Sequence, residues 1–149
     1  MVEIKLREAS INDIESVQHL LTTLNMRTQG ILEPNTRYWV TEISGEVVGV
    51  IGVELGDKAG LLRSAAIIPE HRNRGIGKVL VEHLLDACAA SGHRTIYCFS
   101  TVAGEYWQQL GFWEVPVSEV AQALPTSPQV ILFKHTGELL NQIAWRKNI

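Results

Sequence analysis

The chain has 149 residues, 46% of them hydrophobic and 19% charged, with a formal net charge of −3. That length suits a single domain spanning 1–149, large enough to bury a core without a disulfide or metal staple. The slightly acidic balance excludes an overall basic field for nucleic acid or an anionic membrane, so attraction to any anion has to be local.

The first strand is expected over Val2 to Arg7, where apolar and polar residues alternate. Ser10 and Asp13 have capping-box spacing, and Ile14, Val17, Leu21 and Leu24 follow at helical intervals, which predicts a helix over 11–24. Asn25 to Asn35 holds Gly30 and Pro34 and reads as a short helix plus loop. Thr36 to Ile43 and Glu46 to Leu55 are strands of a hairpin joined at Ser44-Gly45. Gly60 to Ile68 is a further strand, apolar on both faces except at Arg63 and Ser64. A helix over Gly75 to Ser91 carries Ile76, Val79, Leu80, Leu84, Ala87 and Cys88 on one face, with Gly92 as its C-terminal cap. Thr95 to Phe99 is a strand, Ala103 to Leu110 a short helix closed by Gly111, and Val130 to His135 a last strand. The tail, 136–149, is expected to form one more helix. Its stripe of Leu139, Leu140, Ile143 and Ala144 would dock on its own sheet or on a second copy, as a homodimer. The order gives a mixed α/β sheet, a meander followed by a β-α-β crossover.

Cys88 and Cys98 belong to no CxxC pair, and no His cluster has ligand spacing, so two reduced thiols and no metal are expected. The N-terminal residues lack a signal-peptide pattern and no apolar run approaches 18 residues. The expectation is a cytoplasmic protein with neither a nucleic-acid nor a membrane partner.

The stretch "AAIIPEHRNRGIGKVL", 65–80, carries the chemistry. A strand ends near Pro69, and a helix opens at Gly75-Ile76-Gly77. The first turn of a helix has four N–H groups without acceptors and a partial positive charge. Arg72, Arg74 and Lys78 add cations at that same end, against the dipole. A phosphate or pyrophosphate resolves the conflict. A P-loop does not fit, since Arg72 and Val79 stand where it needs glycine and a hydroxyl. A dinucleotide fingerprint does not fit either, because its third glycine would be Leu80.

Arg72-Asn73-Arg74-Gly75-Ile76-Gly77 resembles the Gln/Arg-x-x-Gly-x-Gly/Ala signature of the GNAT superfamily of acetyl-CoA-dependent N-acetyltransferases. Leu62 to Pro69 resembles its fourth strand, and Tyr106-Trp107-Gln108-Gln109-Leu110-Gly111-Phe112 its aromatic-x-x-Leu-Gly-Phe segment. The resemblance implies a mixed, largely antiparallel sheet with a β-α-β CoA-binding crossover and helices on both faces. It implies that Arg72, Asn73, Arg74, Gly75, Ile76, Gly77 and Lys78 hold the CoA pyrophosphate and that Ala65, Ala66 and Ile67 pair with the pantetheine arm. An N–H near Ala66 or Ile67 would polarise the thioester carbonyl. The implied reaction is direct attack by an amine on acetyl-CoA, with no acyl-enzyme.

Glu54, read as a strand-end carboxylate, is the candidate proton acceptor. Family members place a tyrosine four residues before the glycine of Leu-Gly-Phe, but here that residue is Trp107, whose indole is no general acid. Tyr106, Ser100 or Thr101 could substitute, or the thiolate leaves unaided. "LLRSAAI" and "CFST" resemble the N-acetylglutamate-synthase-like and arsenic-resistance-associated members, which points to a small amino-acid-like amine. Arg63, a guanidinium in an apolar strand, needs a partner: a substrate carboxylate, or an internal Asp or Glu. Trp107, Tyr106, Tyr38 and Trp39 could wall an acceptor pocket or belong to the core. Protein N-acetylation and a non-catalytic acetyl-CoA-binding module are the alternatives.

Overall fold

The computed structural model describes residues 3–31 and 33–149. Val2, the start of the expected first strand, lies outside them, as does Leu32 within the expected helix and loop of 25–35. The elements are β1 (Ile4–Glu8), α1 (Ile14–Thr23), β2 (Thr36–Ile43), β3 (Glu46–Leu55), β4 (Ala59–Ile67), α2 (Ile76–Ala90), β5 (Thr95–Phe99), α3 (Gly104–Gln109), β6 (Trp113–Val115), α4 (Val117–Ala123), α5 (Pro128–Thr136) and β7 (Ala144–Asn148). They build a mixed α/β fold on a seven-stranded sheet in the order β1-β2-β3-β4-β5-β7-β6. β4 and β5 are parallel, as a β-α-β crossover requires; β1-β2, β5-β7 and β6-β7 are antiparallel.

The residues group into two compact units. The first comprises the residues up to Val53 with Ser64–Leu84, the second Glu54–Arg63 with Leu85–Ile149. In the first, α1 presents Val17, Leu20 and Leu21 at helical spacing to Tyr38 and Val40 of β2, Val50 of β3 and Ala66 of β4. A 3-10 turn at Ile11–Asp13 leads into α1. The Ser10 N–H donates to Asp13 Oδ2 at 2.7 Å, and Arg7 grips both oxygens of Asp13 at 2.7 and 2.8 Å. No helix forms among the described residues of 25–35. Asn25, Gly30 and Asn35 take positive φ there, which breaks the helical path.

In the second unit, Ala59 and Leu61 of β4 and Tyr97 of β5 pack with Val120 and Leu124 of α4, Val130 of α5 and Ala144 of β7. Three expectations need correction here. Val130 to His135 is not a strand but the body of α5. Ser127 stands at the N-cap, Pro128 at the first helical position, and Gly137 closes the helix at φ +79°. Val130 and Phe133, three residues apart, turn one face inward. The tail is not a helix: after a 3-10 turn at Glu138–Asn141 it becomes β7, paired antiparallel with both β5 and β6. Leu140, from the presumed apolar stripe, is 86% exposed, while Ala144 and Trp145 are buried in the unit's own core. Finally, β6 and α4 occupy a stretch where no element is expected.

Candidate functional site

The loop expected to take an anion lies between β4 and α2. Pro69–His71 make a 3-10 turn, and the chain then passes through Asn73 at φ +63° and Gly75 at φ +80°. A Cβ on Gly75 would meet nothing within 4 Å, so the backbone angle, not space, calls for glycine there. Val79 N–H to Gly75 O, at 3.1 Å, is the first bond of the α2 ladder. The N–H groups of Gly75, Ile76, Gly77 and Lys78 therefore precede that ladder. Ile76 is buried and anchors the helix start close to β3, where a Cβ on Gly49 would come within 2.8 Å of Ile67 and 3.3 Å of Leu80.

Arg72, Asn73, Arg74, Gly75 and Lys78 are all exposed, so charge and free amides face solvent together. Arg72 Nε donates to Ile67 O at 2.9 Å, pulling its stem back toward the strand end. Arg74 lies 3.4 Å from His71 Nδ1, and Lys78 reaches Glu82 at only 4.0 Å. Three cations thus lie beside the first turn of α2, surroundings that favour a phosphate-type anion.

β4 departs from regular geometry next to this loop. Its register with β5 runs from Ala59 to Leu62, and Ser64, two residues on, is left-handed at φ +58°. The Ser64 hydroxyl stands 3.5 Å from that of Tyr38. Past it, Ala65 is exposed, Ala66 buried and Ile67 half-buried.

The two polar candidates of β3 and β4 turn out to be each other's partners. Arg63 Nη1 donates to Glu54 Oε2 at 2.8 Å, with side chains only 5% and 2% exposed. The second carboxylate oxygen, Oε1, accepts the Ser127 hydroxyl and, at 3.0 Å, the Gln129 N–H. Glu54 is thus no exposed strand-end charge, and the internal-partner alternative for Arg63 is the one realised. Sequence reasoning missed Ser127 and Gln129; a Ser-Pro pair opening a helix was the available signal.

Trp107 is buried between Tyr106 and Phe112, its ring edge-on to both at 5.2 and 5.3 Å. Its Nε1 is buried and has no acceptor among the described residues. Tyr106 is 39% exposed and lines an open cleft of about 580 Å³ with Thr101, Gly104 and Trp145; burial pushes its phenol upward. Ser100 serves local structure, accepting the Ala103 N–H on its hydroxyl and the Trp145 indole on its carbonyl. Tyr38 and Trp39 belong to the core, Trp39 under the Arg37 guanidinium at 4.9 Å. Cys88 and Cys98 are free and buried, and burial pushes the Cys98 thiol up, away from thiolate chemistry. Among the described residues no group of three or more His, Cys, Asp or Glu side chains could hold a metal ion, and no helix is long and apolar enough to cross a membrane.

The family model described as Acetyltransferase (GNAT) family matches residues 5–112. Amino-acid acetyltransferase of Pseudomonas syringae pv. tomato is 27% identical over 126 residues, covering 78% of this chain and 29% of that protein. The corresponding protein of Azotobacter vinelandii is 28% identical over 119 residues, covering 72% and 27%. The chain therefore spans less than a third of the length of these curated relatives. N-acetylglutamate synthase from Neisseria gonorrhoeae, solved with coenzyme A and N-acetyl-glutamate, superposes with a TM-score of 0.78 at 18% identity, over 98% of this chain and 35% of that one. Rv2747 from Mycobacterium tuberculosis, solved with CoA and NLQ, superposes at 0.77 and 19% identity, over 97% and 99%.

Proposed function

The chain belongs to the acetyltransferase (GNAT) family, and on that premise we propose that it moves the acetyl group of acetyl-CoA to the amine of a small, amino-acid-like substrate. The observation that carries the reading is the loop Arg72–Gly75, left-handed at Asn73 and Gly75, with three cations at the open start of α2. The N–H groups from Asn73 to Lys78 would take the pyrophosphate of CoA, and Ala65, Ala66 and Ile67 its pantetheine arm. An N–H at Ala66 or Ile67 would donate to the thioester oxygen as it gains charge, an interaction that strengthens toward the tetrahedral transition state.

The reaction is a direct displacement in a ternary complex. The neutral amine nitrogen bonds to the carbonyl carbon, the carbon–sulfur bond breaks, and one amine proton is lost. With both its oxygens engaged, Glu54 is a poor acceptor for that proton, and solvent receives it. A peptide α-amine, with a pKa of roughly 7.7–8.0, is partly neutral at physiological pH, whereas the α-amine of a free amino acid is mostly protonated and gives up a further proton to solvent before attack. The leaving thiolate takes its proton from Tyr106 or from water, since the buried Trp107 indole is no acid. The amino-acid acceptor is supported by the amino-acid acetyltransferases among the relatives and by the resemblance of the synthase solved with N-acetyl-glutamate.

The test is acetyl-CoA binding followed by an acceptor screen. At a hundred times its Kd, acetyl-CoA should stabilise the fold by about 2.7 kcal/mol; no thermal shift would remove the whole reading. Gly75→Ala should weaken that binding about tenfold, since a Cβ disfavours the left-handed angle the loop needs. Thiol release over amino acids, polyamines, antibiotics and N-terminal peptides then assigns the acceptor. Turnover on peptides alone would favour protein N-acetylation. Binding without turnover on any of them would favour a non-catalytic module, the reading that tryptophan at 107 keeps in play.

A further inference from the structure

Thr41 lies in β2 directly opposite Leu6 of β1 and is only 1% exposed. Its hydroxyl is buried and has no hydrogen-bond partner among the described residues. A hydroxyl taken out of water without a partner is destabilising, and valine would give the same β-branched shape without that cost. The space beside it accounts for the unmet group. Thr41 lines a cavity of about 110 Å³, walled by residues of β1, β2 and the start of α2 and contained wholly within the first compact unit.

The cavity has three kinds of wall. Ile4, Leu6, Ile76 and Val79 are hydrocarbon, and Ile4 and Val79 are each 54% exposed, so part of this apolar wall meets solvent. Arg74 and Gly75 bring a guanidinium and the positive end of α2. Of the three cations near that helix start, Arg74 is the one that lines the cavity. Thr41 adds a hydroxyl able to donate or to accept. A ligand that answers all three has an anionic head, a short apolar body and a second polar atom along it. One cation among hydrocarbon walls suits a single negative charge, and a carboxylate matches the fork of a guanidinium. Since a cavity of roughly 150 Å³ accommodates a benzene ring, this one has room for about four to six carbons. We infer that the cavity binds a short hydroxy or oxo monocarboxylic acid. Its carboxylate meets Arg74, its chain lies against Ile4, Leu6 and Val79, and its hydroxyl or oxo oxygen pairs with Thr41. The inference goes beyond the acetyl-CoA reading and does not depend on it.

The probe is 4-methyl-2-oxopentanoate, titrated into the full chain carrying carbon-13 methyl labels on isoleucine, leucine, valine and threonine. The readout is methyl NMR. The methyls of Ile4, Leu6, Thr41, Ile76 and Val79 should shift together and saturate. 4-Methylpentanoate, which lacks the oxo oxygen, should bind about tenfold more weakly, the worth of one hydrogen bond. Thr41→Val should lose the same factor of about ten for the oxo acid and bind the plain acid as the unaltered protein does, because only the hydroxyl tells the two apart. Arg74→Gln should weaken both acids about tenfold through loss of the charged partner. A hydroxyl with a merely structural role would leave Thr41→Val discriminating between the acids, and that result overturns the site. If Thr41→Val does not fold, the unaltered protein decides, since equal affinity for the two acids there also overturns it. The same titration is run with the smaller 3-hydroxybutanoate. Saturable shifts with neither hydroxy nor oxo acid, or shifts confined to methyls outside the cavity, would overturn the inference while leaving acetyl-CoA binding untouched.

Discussion

Asp13 and Glu54 illustrate how much a single carboxylate's surroundings decide. Arg7 hydrogen-bonds both oxygens of Asp13, and that guanidinium, with the Ser10 N–H, holds the carboxyl well below the usual range despite its burial. A depressed folded-state pKa means that the stabilisation is complete above about pH 4, the unfolded value, and is lost as pH falls further. Asp13→Asn should therefore lose about 1 kcal/mol at neutral pH, a modest figure because the Arg7 side chain is 41% exposed. Denaturant unfolding from pH 6 down to pH 2 should show a shallower loss for the variant. Glu54 is a different case, since its partner has no water to fall back on. Glu54→Ala leaves a buried guanidinium uncompensated and should cost about 3–5 kcal/mol, whereas Glu54→Met/Arg63→Met should recover most of it. The same unfolding measurement checks both, and equal losses in single and double variants would contradict a coupled pair.

The two elements that departed most from expectation did so for identifiable reasons. α5 contains Val130, Ile131, Leu132 and Phe133, an apolar run rich in β-branched and aromatic residues that reads as strand in isolation. Its caps decide otherwise: Ser127, Pro128 and the left-handed Gly137 define a helix whose face of Val130 and Phe133 packs inward, Phe133 against Phe99 at 5.6 Å. This predicts opposite outcomes at neighbouring positions. Ile131, 53% exposed, should tolerate alanine within about 0.5 kcal/mol, because alanine is the best helix former. Val130, fully buried, should lose roughly 2 kcal/mol on truncation to alanine. Similar losses at both would contradict the one-sided burial of this helix. β7 was obscured by the reverse effect. Leu139, Leu140, Ile143 and Ala144 imitate helical spacing, yet the first two lie in a 3-10 turn and the strand begins only at Ala144.

On the scale of the whole molecule, β7 explains why the last residues matter. It fills the gap between β5 and β6, pairing Thr95–Phe99 on one side and Trp113–Val115 on the other. Trp145 from the same strand packs against α3, where a Cβ on Gly104 would come within 2.9 Å of its ring. Deleting 137–149 would expose the edges of two strands and open the core around Ala144, so the shortened chain should lose its cooperative unfolding transition and aggregate. A cooperative melt in the truncated protein would show the tail to be dispensable.

By itself the amino-acid sequence determined what is local. β2, β3 and β5 are read at the boundaries the structure shows, because alternation and turn residues act over a few positions. The stretch before α2 is equally local: its glycines, its cations and the start of the helix all lie within seven residues, 72–78. Only tertiary structure decided the rest. The partner of Arg63 lies nine positions away and the groups completing Glu54 lie 73 and 75 away, so no local pattern links them. Likewise, an apolar tail carries no mark of the vacant place between two strands that makes it a strand, because that vacancy is created only when β5 and β6 have come together.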